Sequence, residues 1–439
     1  MIACPIAVGA TCFADKCAIK LSDKAWSYAE FNQLVFCHQN SLPPLSEAMF
    51  IPWKAQDPVH TLAKIWACLR SGHIAMPVNP SFPEHFAKDL LKSWHVSDFF
   101  SEKPLKSHVT SVHNSDICLC LNNPGLGILS SGSLGFPKTV LLSVGNLYWN
   151  VKGVLEAFPM NQEDCLGLVL PLYHIGGVVA ALRAFFSGAS LVCISQKLSY
   201  AYLLSETMTH LPCVPTQLIR WLKEGVFSEE PSCLKQILVG GASLPWMPSW
   251  LPIVTTYGLT EMASQVLNSQ NQSLNYREWK LADTGAILVK GETLFQGYLD
   301  WVGAYPMFRL PLTADGWFQT GDLGKLDHDG SLHIVGRADL MMVSGGENIH
   351  PQAIESVLLQ HDHVFQAIVV GISHPEFGMR PVAFIEGFVD TKSLRDWLKE
   401  RIPAYGIPDR FYAMPNLVNA GLKPNRQELT ALANSLEKQ

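Results

Sequence analysis

The sequence predicts an α/β protein in which a large N-terminal α/β domain of layered sheets is followed by a small C-terminal α+β domain. Strand-like and helix-like segments alternate over the first two thirds of the 439 residues, as expected for a buried sheet covered by helices. Near residue 315 this alternation gives way to a hairpin and then to a compact mixture of both types. The apolar fraction of 48% is sufficient for a large core, and the length is typical of two or three domains.

The alternation is clearest in the middle of the chain. Residues 165–171 are a short apolar run that ends in proline, as a buried strand often does. Residues 176–187 have a helical pattern that Gly188 ends. A second strand is predicted in residues 189–194 and a second helix in residues 198–208. Strands and helices that follow one another in this way favour α/β layers.

The C-terminal third contains the remaining predicted elements. Residues 321–337 indicate a hairpin with an Asp-Gly turn. Pro351 can begin a helix, residues 367–372 are strand-like, and a second helix ends before Pro403. A small domain of about 100 residues is therefore expected. The predicted domains are residues 1–337 and residues 338–439.

Composition and charge exclude several classes of function. The formal net charge is -6 and no long block of Lys or Arg is present, so neither nucleic acid nor an anionic membrane surface is an expected partner. The eleven cysteines are scattered without a Cys-x-x-Cys pair, which favours reduced thiols over a disulfide framework or a zinc site. The most apolar stretch, residues 176–194, contains Arg183 and Gly188, so no membrane span is predicted. We expect a cytoplasmic protein, with a homodimer left open.

A loop rich in serine and glycine follows the strand-like residues 125–130. Its glycines allow positive φ angles and expose successive N–H groups, while serine hydroxyls and one lysine add donors and positive charge. Such a loop can hold a polyphosphate, although its glycine spacing differs from that of a Walker P-loop. An ordinary Ser/Gly turn is the alternative. The candidate phosphate-binding residues are Ser130, Ser131, Gly132, Ser133, Gly135 and Lys138.

A second candidate segment, Tyr-Gly-x-Thr-Glu, lies roughly 120 residues after this loop. Tyr257 and Gly258 offer a flat aromatic face and an open backbone to an adenine base. Thr260 can donate to an α-phosphate, and Glu261 is a hard oxygen ligand for Mg²⁺. The preceding glycine-rich segment would allow the nucleotide to approach the backbone at Gly240, Gly241 and Ala242.

Two further candidates lie on either side of the predicted hairpin turn. Asp322 can accept hydrogen bonds from ribose hydroxyls, and Arg337 can donate to ribose or phosphate. The alternative for each residue alone is a surface ion pair. Near the C-terminus, Lys423 stands three residues before Arg426, and on its own it would be an ordinary solvated lysine.

In this order and spacing, the segments resemble the adenylate-forming superfamily of acyl-CoA synthetases, adenylation domains and luciferases. The resemblance implies that ATP activates a carboxylic acid as an acyl-adenylate and that a thiol, most often that of coenzyme A, then takes the acyl group. It implies that Glu261 binds Mg²⁺, that Thr260 and Lys423 act in adenylation, and that the C-terminal domain is mobile about a hinge at Asp339.

The acid is indicated by the segment around residues 171–183. PLYHIGG resembles the family's acyl-pocket segment, with His174 as a catalytic gate beside the substrate; a core histidine is the alternative. Arg183 interrupts an otherwise apolar helix, and because an unpaired buried arginine is costly, it predicts an anionic partner. That partner is either an internal Asp or Glu or a second carboxylate on the substrate.

Several segments look most like 2-succinylbenzoate–CoA ligases of menaquinone biosynthesis: PCVPTQLIRWL, VGGASLP, TTYGLTEMAS, MVSGGENIHP and FGMRPVAFIEG. The substrates implied by this resemblance are 2-succinylbenzoate, ATP and coenzyme A. A generic aryl- or acyl-CoA ligase, or an adenylation domain that charges a carrier protein, is the alternative among enzymes. A catalytically silent homologue that binds nucleotide is the alternative from another class.

Overall fold

The computed structural model describes residues 1–104, 117–130, 137–194, 197–227, 231–241, 248–302, 305–328, 330–387, 390–415 and 426–437. In chain order the strands are β1 (Ile2–Ala3), β2 (Cys17–Leu21), β3 (Lys24–Ser27), β4 (Phe50–Lys54), β5 (Ile74–Val78), β6 (Cys118–Leu119), β7 (Pro124–Ser130), β8 (Lys138–Ser143), β9 (Cys165–Leu168), β10 (Ser190–Cys193), β11 (His210–Cys213), β12 (Gln236–Gly240), β13 (Ile253–Leu259), β14 (Ser264–Leu267), β15 (Arg277–Leu281), β16 (Ala286–Gly291), β17 (Gly297–Val302), β18 (Tyr305–Arg309), β19 (Phe318–Leu326), β20 (Leu332–Arg337), β21 (Met342–Ser344), β22 (Glu347–Ile349), β23 (Val364–His374), β24 (Gly378–Gly387) and β25 (Arg410–Ala413).

The helices, again in chain order, are α1 (Pro5–Cys12), α2 (Tyr28–Gln39), α3 (Pro58–Ser71), α4 (Glu84–Ser93), α5 (Val144–Ala157), α6 (Ile175–Ser187), α7 (Tyr200–Ser205), α8 (Pro215–Lys223), α9 (Pro351–Leu358), α10 (Thr391–Lys399) and α11 (Arg426–Leu436). Short 3₁₀ turns occupy Thr260–Met262, Ala338–Leu340 and Ala404–Gly406. Among the described helices, none is both long and apolar enough to cross a bilayer.

Two sheets form the layers of the N-terminal part. The central sheet has the order β14-β13-β12-β11-β9-β10-β2-β3, and its strands from β13 to β2 run parallel. The second sheet has the order β18-β17-β8-β7-β5-β4. Parallel neighbours are joined by crossovers such as β9-α6-β10 and β4-α3-β5. This confirms the α/β class predicted from the alternation of strands and helices.

The core lies where the helices of these two sheets meet. Most residues of α3 and α6 are buried, as is typical of helices that lie between layers. The rings of Trp66 on α3 and Phe185 on α6 meet edge to face with centroids 6.0 Å apart, and Phe31 on α2 stacks on Phe185 at 5.2 Å. α3 begins at Pro58 because Asp57 caps the N–H groups of its first turn.

The third sheet, β15-β16-β19-β20, and the C-terminal sheet, β22-β21-β24-β23 with β25 beside β24, complete the fold. Strands β19 and β20 form the predicted hairpin, with Gly330 in its turn at φ +83°, a value that glycine adopts without strain. Asp329, the other predicted turn residue, lies outside the described residues. The C-terminal sheet has its own apolar clusters, formed with α9, α10 and α11.

The individual elements lie close to their predicted positions. α6 spans Ile175–Ser187 and ends at Gly188, which is left-handed at φ +72°. β23 spans Val364–His374, longer than the predicted strand, because it pairs with β24 over its whole length. The helix predicted in residues 198–208 is shorter, Tyr200–Ser205, since Thr207 adopts φ +49° and ends it.

Candidate active site

The candidate site begins at the carboxyl ends of two parallel strands in the central sheet. Gly240 is the last residue of β12, and Tyr257 and Gly258 lie near the end of β13, its neighbour. β13 is continued by the 3₁₀ turn that carries Thr260 and Glu261, both half-buried. Carboxyl ends of neighbouring parallel strands open at one edge of a sheet, which is where ligands bind in α/β proteins. The segment predicted to bind the nucleotide therefore lies at such an edge.

Close packing explains the glycine within this segment. A Cβ atom added at Gly258 would come within 2.3 Å of the Ser264 carbonyl oxygen on β14. The backbone of β13 can approach β14 this closely only without a side chain. Gly258 thereby fixes the bend at which Thr260 and Glu261 leave the sheet.

The second sheet brings the two ends of the predicted phosphate loop to the same region. Ser130 ends β7 and Lys138 begins β8, and the two residues are partners in an antiparallel pair. The Ser130 hydroxyl donates to the Lys138 carbonyl oxygen at 3.3 Å and closes the neck of the loop. The Lys138 ammonium lies 4.9 Å from the centroid of the Tyr298 ring on β17. Ser130 and Lys138 thus flank the predicted phosphate loop, of which residues 131–136 lie outside the described residues.

Tyr298 joins this sheet to the central sheet. Its hydroxyl donates to Glu261 Oε1 at 2.7 Å. Burial and the neighbouring Glu261 carboxylate raise the pKa of Tyr298, so the phenol remains a donor. Tyr298 was not predicted from the sequence, because nothing in the pattern around it pairs a tyrosine of one strand with a glutamate of another sheet.

The third sheet supplies Asp322 and Arg337, which are direct partners across β19 and β20. The Tyr257 hydroxyl donates to Asp322 Oδ2 at 2.6 Å and so links the third sheet to the central sheet. Burial, followed by the charge of Asp322, raises the pKa of Tyr257 well above its ordinary value. Side chains of three sheets therefore converge on one region that contains Tyr257, Glu261, Tyr298, Asp322 and Arg337.

Arg337 is shared between two carboxylates. Its Nε and Nη2 donate to the two carboxylate oxygens of Asp339 at 3.0 Å each, and its Nη1 lies 3.4 Å from Asp322 Oδ1. The forked contact with Asp339 raises the pKa of Arg337. Asp339, the predicted hinge residue, lies in the 3₁₀ turn between the third sheet and the C-terminal sheet.

His174 and Arg183 lie at different levels of α6. His174 is half-buried at the N-cap of the helix, with its ring 4.8 Å from that of Tyr173. Arg183 follows about two and a half turns later, so the two are not neighbours on one helix face. The structure therefore does not bring His174 and Arg183 together, in contrast to Tyr257 and Asp322.

Arg183 is buried, and no ion pair joins it to an Asp or Glu in the described part of the chain. It is 3% exposed, and its Nε is buried without a partner atom among the described residues. Burial lowers the pKa of Arg183 from 12.5 to about 10. Because a buried cation without an acceptor is costly, this group is suited to an anionic ligand.

Several predicted residues lie outside the described residues, and their roles remain predictions. These are Ser131, Gly132, Ser133, Gly135, Ala242 and Lys423. Gly241, next to Ala242, is described and has φ +98°, which a side chain would strain. Arg426, three residues after Lys423, begins α11 and pairs with Glu355 at 2.6 Å.

Comparison with known proteins identifies the family. The family model "AMP-binding enzyme" matches residues 8–299, and "AMP-binding enzyme C-terminal domain" matches residues 353–420. The chain belongs to the AMP-binding enzymes. This confirms the superfamily that the ordered segments predict, and with it the expectation of an enzyme that uses adenine nucleotide.

Relatives and solved structures agree with this assignment. A 2-succinylbenzoate–CoA ligase of Haemophilus influenzae is 33% identical over 388 residues, which cover 83% of this chain and 82% of that protein. A variant of Escherichia coli MenE with bound OSB-AMS has a TM-score of 0.82 at 24% identity, covering 99% of this chain and 98% of that one. The Bacillus subtilis o-succinylbenzoate CoA synthetase in complex with OSB-AMP has a TM-score of 0.81 at 23% identity, with 97% of each chain covered. This AMP-binding enzyme therefore has their fold, a large N-terminal and a small C-terminal domain.

Proposed function

We propose that this AMP-binding enzyme joins 2-succinylbenzoate to coenzyme A in menaquinone biosynthesis, through an acyl-adenylate formed from ATP. Similarity to a 2-succinylbenzoate–CoA ligase over four fifths of both chains supports the reaction. The observation that carries the choice of acid is the buried Arg183 guanidinium, whose Nε has no partner in the described part of the chain. We also propose that the N-terminal domain ends at residue 337 and that the predicted site residues have the roles that their positions in the family imply.

In the first step a carboxylate oxygen of the acid attacks the α-phosphorus of ATP. The bond to the bridging oxygen breaks, and pyrophosphate leaves with its electron pair. Since this step brings two anions together, positive charge and donors must offset the charge that builds on phosphorus. Thr260 donates to the α-phosphate, Lys138 and the Ser/Gly loop hold the outer phosphates, and Lys423 neutralises charge during the transfer.

Glu261 fits a divalent cation. Tyr298 occupies one of its oxygens, Oε1, and within the described residues no Lys or Arg forms an ion pair with Glu261. A half-buried carboxylate with one oxygen left over and no cation in direct contact is a suitable ligand for a hard ion such as Mg²⁺. When bound there, Mg²⁺ would supply positive charge at the phosphate oxygens.

The nucleoside occupies the region between the central and third sheets. Asp322 accepts from ribose hydroxyls and Arg337 donates nearby, while Tyr257 offers its ring face to adenine. The backbone at Gly240 and Gly241 leaves room for the base. The bond from the Tyr257 hydroxyl to Asp322 at 2.6 Å supports this assignment, because it fixes the carboxylate before the nucleotide arrives.

In the second step the thiol of coenzyme A attacks the acyl carbonyl carbon, and AMP leaves as the carbon–oxygen bond breaks. Lys423 and the thiol need the same carbonyl at different times. A turn of the C-terminal domain about Asp339 lets each approach in turn, and His174 gates the acyl pocket. The succinyl carboxylate is activated, and the aromatic carboxylate binds Arg183 directly or through water.

The test is a reconstituted assay with ATP, Mg²⁺ and 2-succinylbenzoate, with and without coenzyme A. We expect pyrophosphate with the acid alone, and sustained AMP and thioester formation only when coenzyme A is present. The analogue that lacks the aromatic carboxylate should react at least tenfold less efficiently, since a charge-assisted contact is worth roughly 1.5–3 kcal/mol.

Each alternative has its own outcome in this assay. Equal use of the analogue would favour a generic aryl- or acyl-CoA ligase. Acyl transfer to a carrier protein, but not to coenzyme A, would favour an adenylation domain. Nucleotide binding without pyrophosphate release, for any acid offered, would favour a silent homologue.

A further inference from the structure

Two basic residues at the end of α8 connect the N-terminal part of the chain to the C-terminal sheet. Arg220 Nη2 donates to both carboxylate oxygens of Glu386, on β24, at 2.8 Å each. Lys223 Nζ donates to the carbonyl oxygen of His361 at 3.1 Å and to that of Val364. Its ammonium also lies 5.4 Å from the ring centroid of Phe365. Together these contacts hold α8 against two neighbouring strands.

The sequence of α8 explains why its last turn is available for these contacts. Leu218 and Trp221 are buried in an apolar cluster of the N-terminal part. Arg220 is exposed and Lys223 is half-buried. Residues three apart on a helix are neighbours, so the two cations point to the same surface. Basic residues are also favoured in the last turn of a helix by the carbonyl groups that end it.

α8 starts at the edge of the central sheet that carries the candidate site. α8 begins two residues after β11 ends, at the same edge of the central sheet as Gly240 and Tyr257. Because β11 and β12 are parallel, α8 runs back from this edge. Its first turn therefore lies at the edge that carries the candidate site, and Arg220 and Lys223 lie at its other end, roughly 12 Å along the helix axis.

The strand that leads to Lys423 ends beside the Arg220–Glu386 pair. β25 runs parallel to β24, and the Met414 N–H donates to the Ile385 carbonyl oxygen at 2.8 Å, next to Glu386. The segment that carries Lys423 starts two residues after Met414. On its far side, Arg426 is fixed to Glu355 of α9 at 2.6 Å. Both ends of this segment thus belong to the body that α8 holds.

We propose that Arg220 and Lys223, with Glu386 as partner, form a latch that favours the domain orientation used for adenylation. The latch opens before coenzyme A reacts. This inference rests on the two-step reaction proposed above and names the residues that bias its two orientations. Both side chains of the Arg220–Glu386 pair are partly exposed, 49% and 41%, and exposed pairs shift an equilibrium only about two- to fivefold. Such a contact is weak enough to open in every cycle.

The test compares the two half-reactions in Glu386→Gln and Arg220→Gln. Adenylation, measured as the rate of pyrophosphate release in a single turnover, should slow about two- to fivefold. Thioester formation from pre-made acyl-adenylate and coenzyme A should keep its rate or rise. The charge-exchanged pair, Arg220→Glu with Glu386→Arg, should restore adenylation, which a merely structural role for either residue would not allow.

Lys280→Gln is the matched control, because Lys280 and Asp315 form an ion pair of similar exposure, 43% and 60%, at 2.6 Å within the N-terminal part. This variant should leave both half-reactions unchanged. Raising the salt concentration should slow adenylation by the wild type toward the rate of Glu386→Gln, because screening weakens exposed pairs. Equal changes in both half-reactions, or failure of the charge-exchanged pair to restore adenylation, would overturn the latch.

Hydrogen exchange of the unliganded protein separates failure of the latch from failure of the proposed function. In Glu386→Gln, amides of residues 215–223 and 361–365 should exchange at least twofold faster than in the wild type, whichever acid the enzyme uses. Unchanged exchange in both segments would contradict the latch even in an active enzyme. Faster exchange in a protein that adenylates no acid would support the contact between Arg220 and Glu386 but contradict the proposed ligase function.

Discussion

Replacing Arg183 by methionine should make the unliganded protein more stable and its acid binding weaker. Burial lowers the pKa of Arg183 from 12.5 to about 10. Since a tenfold change in an ionisation constant corresponds to about 1.4 kcal/mol, the buried charge destabilises the fold by about 3 kcal/mol. Methionine keeps most of the length of the side chain and removes the charge. We therefore expect Arg183→Met to raise the free energy of unfolding by ~1–3 kcal/mol.

The same substitution removes the proposed anion site. The KM for 2-succinylbenzoate should rise about 10- to 150-fold, because a charge-assisted hydrogen bond is worth roughly 1.5–3 kcal/mol, while the KM for ATP should hardly change. A ligand that binds the folded state raises the Tm of a protein. We expect 2-succinylbenzoate to raise the Tm of the wild type but not that of Arg183→Met. Urea unfolding, a thermal shift with and without acid, and steady-state kinetics measure the three effects.

Arg277 provides the matched control. It is 4% exposed and burial lowers its pKa to about 10, as for Arg183. Its guanidinium, however, donates to the carbonyl oxygens of Asn275, Gln265 and Asn150. Arg277→Met removes three charge-assisted hydrogen bonds to carbonyl oxygens, although that of Gln265 keeps a contact with Asn150 Nδ2 at 3.3 Å. At roughly 1.5–3 kcal/mol per bond, it should destabilise the protein by several kcal/mol. If Arg183→Met destabilises to the same extent, Arg183 is structural; if it stabilises without changing the KM for the acid, the anion site is wrong.

Three other predictions follow from single groups. Tyr298→Phe removes the donor that lies 2.7 Å from Glu261, so the Mg²⁺ concentration for half-maximal activity should rise about three- to tenfold. Electron paramagnetic resonance should show a parallel loss of affinity for Mn²⁺. Burial lowers the pKa of His38 from 6.5 to about 3, so between pH 6.5 and pH 3 the imidazole is protonated in the unfolded chain but not in the folded one. The urea midpoint should therefore fall as the pH drops below 6.5, and it should fall less steeply in His38→Gln. Lys423→Ala should slow adenylation ~10²–10³-fold and spare thioester formation from pre-made acyl-adenylate.

Local features of the fold could be predicted because short-range geometry decides them. Gly188 ends α6 in the left-handed conformation, as a glycine after an apolar helical pattern indicates. The hairpin that brings Asp322 opposite Arg337 was predictable for the same reason, since a short turn fixes the register of its strands. In these two places, where a glycine or an Asp-Gly turn determines the structure, the sequence alone was sufficient.

Contacts between sheets could not be predicted. β17 pairs with β8, which precedes it by about 150 residues, and no periodicity in either strand specifies that partner. Tyr298 reaches Glu261 only because of this pairing. The sequence likewise left two partners open for Arg183, an internal Asp or Glu and a carboxylate of the substrate. In the described part of the chain no carboxylate pairs with it, and this could not be predicted because it depends on how distant segments pack.

The shortest hydrogen bond to each of the two candidate carboxylates comes from a neutral group. Glu261 is held by a neutral phenol, Tyr298, at 2.7 Å, and Asp322 by another, Tyr257, at 2.6 Å. A phenol fixes a carboxylate without neutralising it, whereas a lysine or arginine in that place would cancel the charge that a cation or a ribose needs. Arg337 could cancel that of Asp322, but its forked contact at 3.0 Å goes to Asp339, and Asp322 receives one long contact at 3.4 Å. The predicted hinge residue therefore competes for the guanidinium beside the proposed ribose site. A nucleotide that draws Arg337 toward Asp322 should also loosen its contact with Asp339.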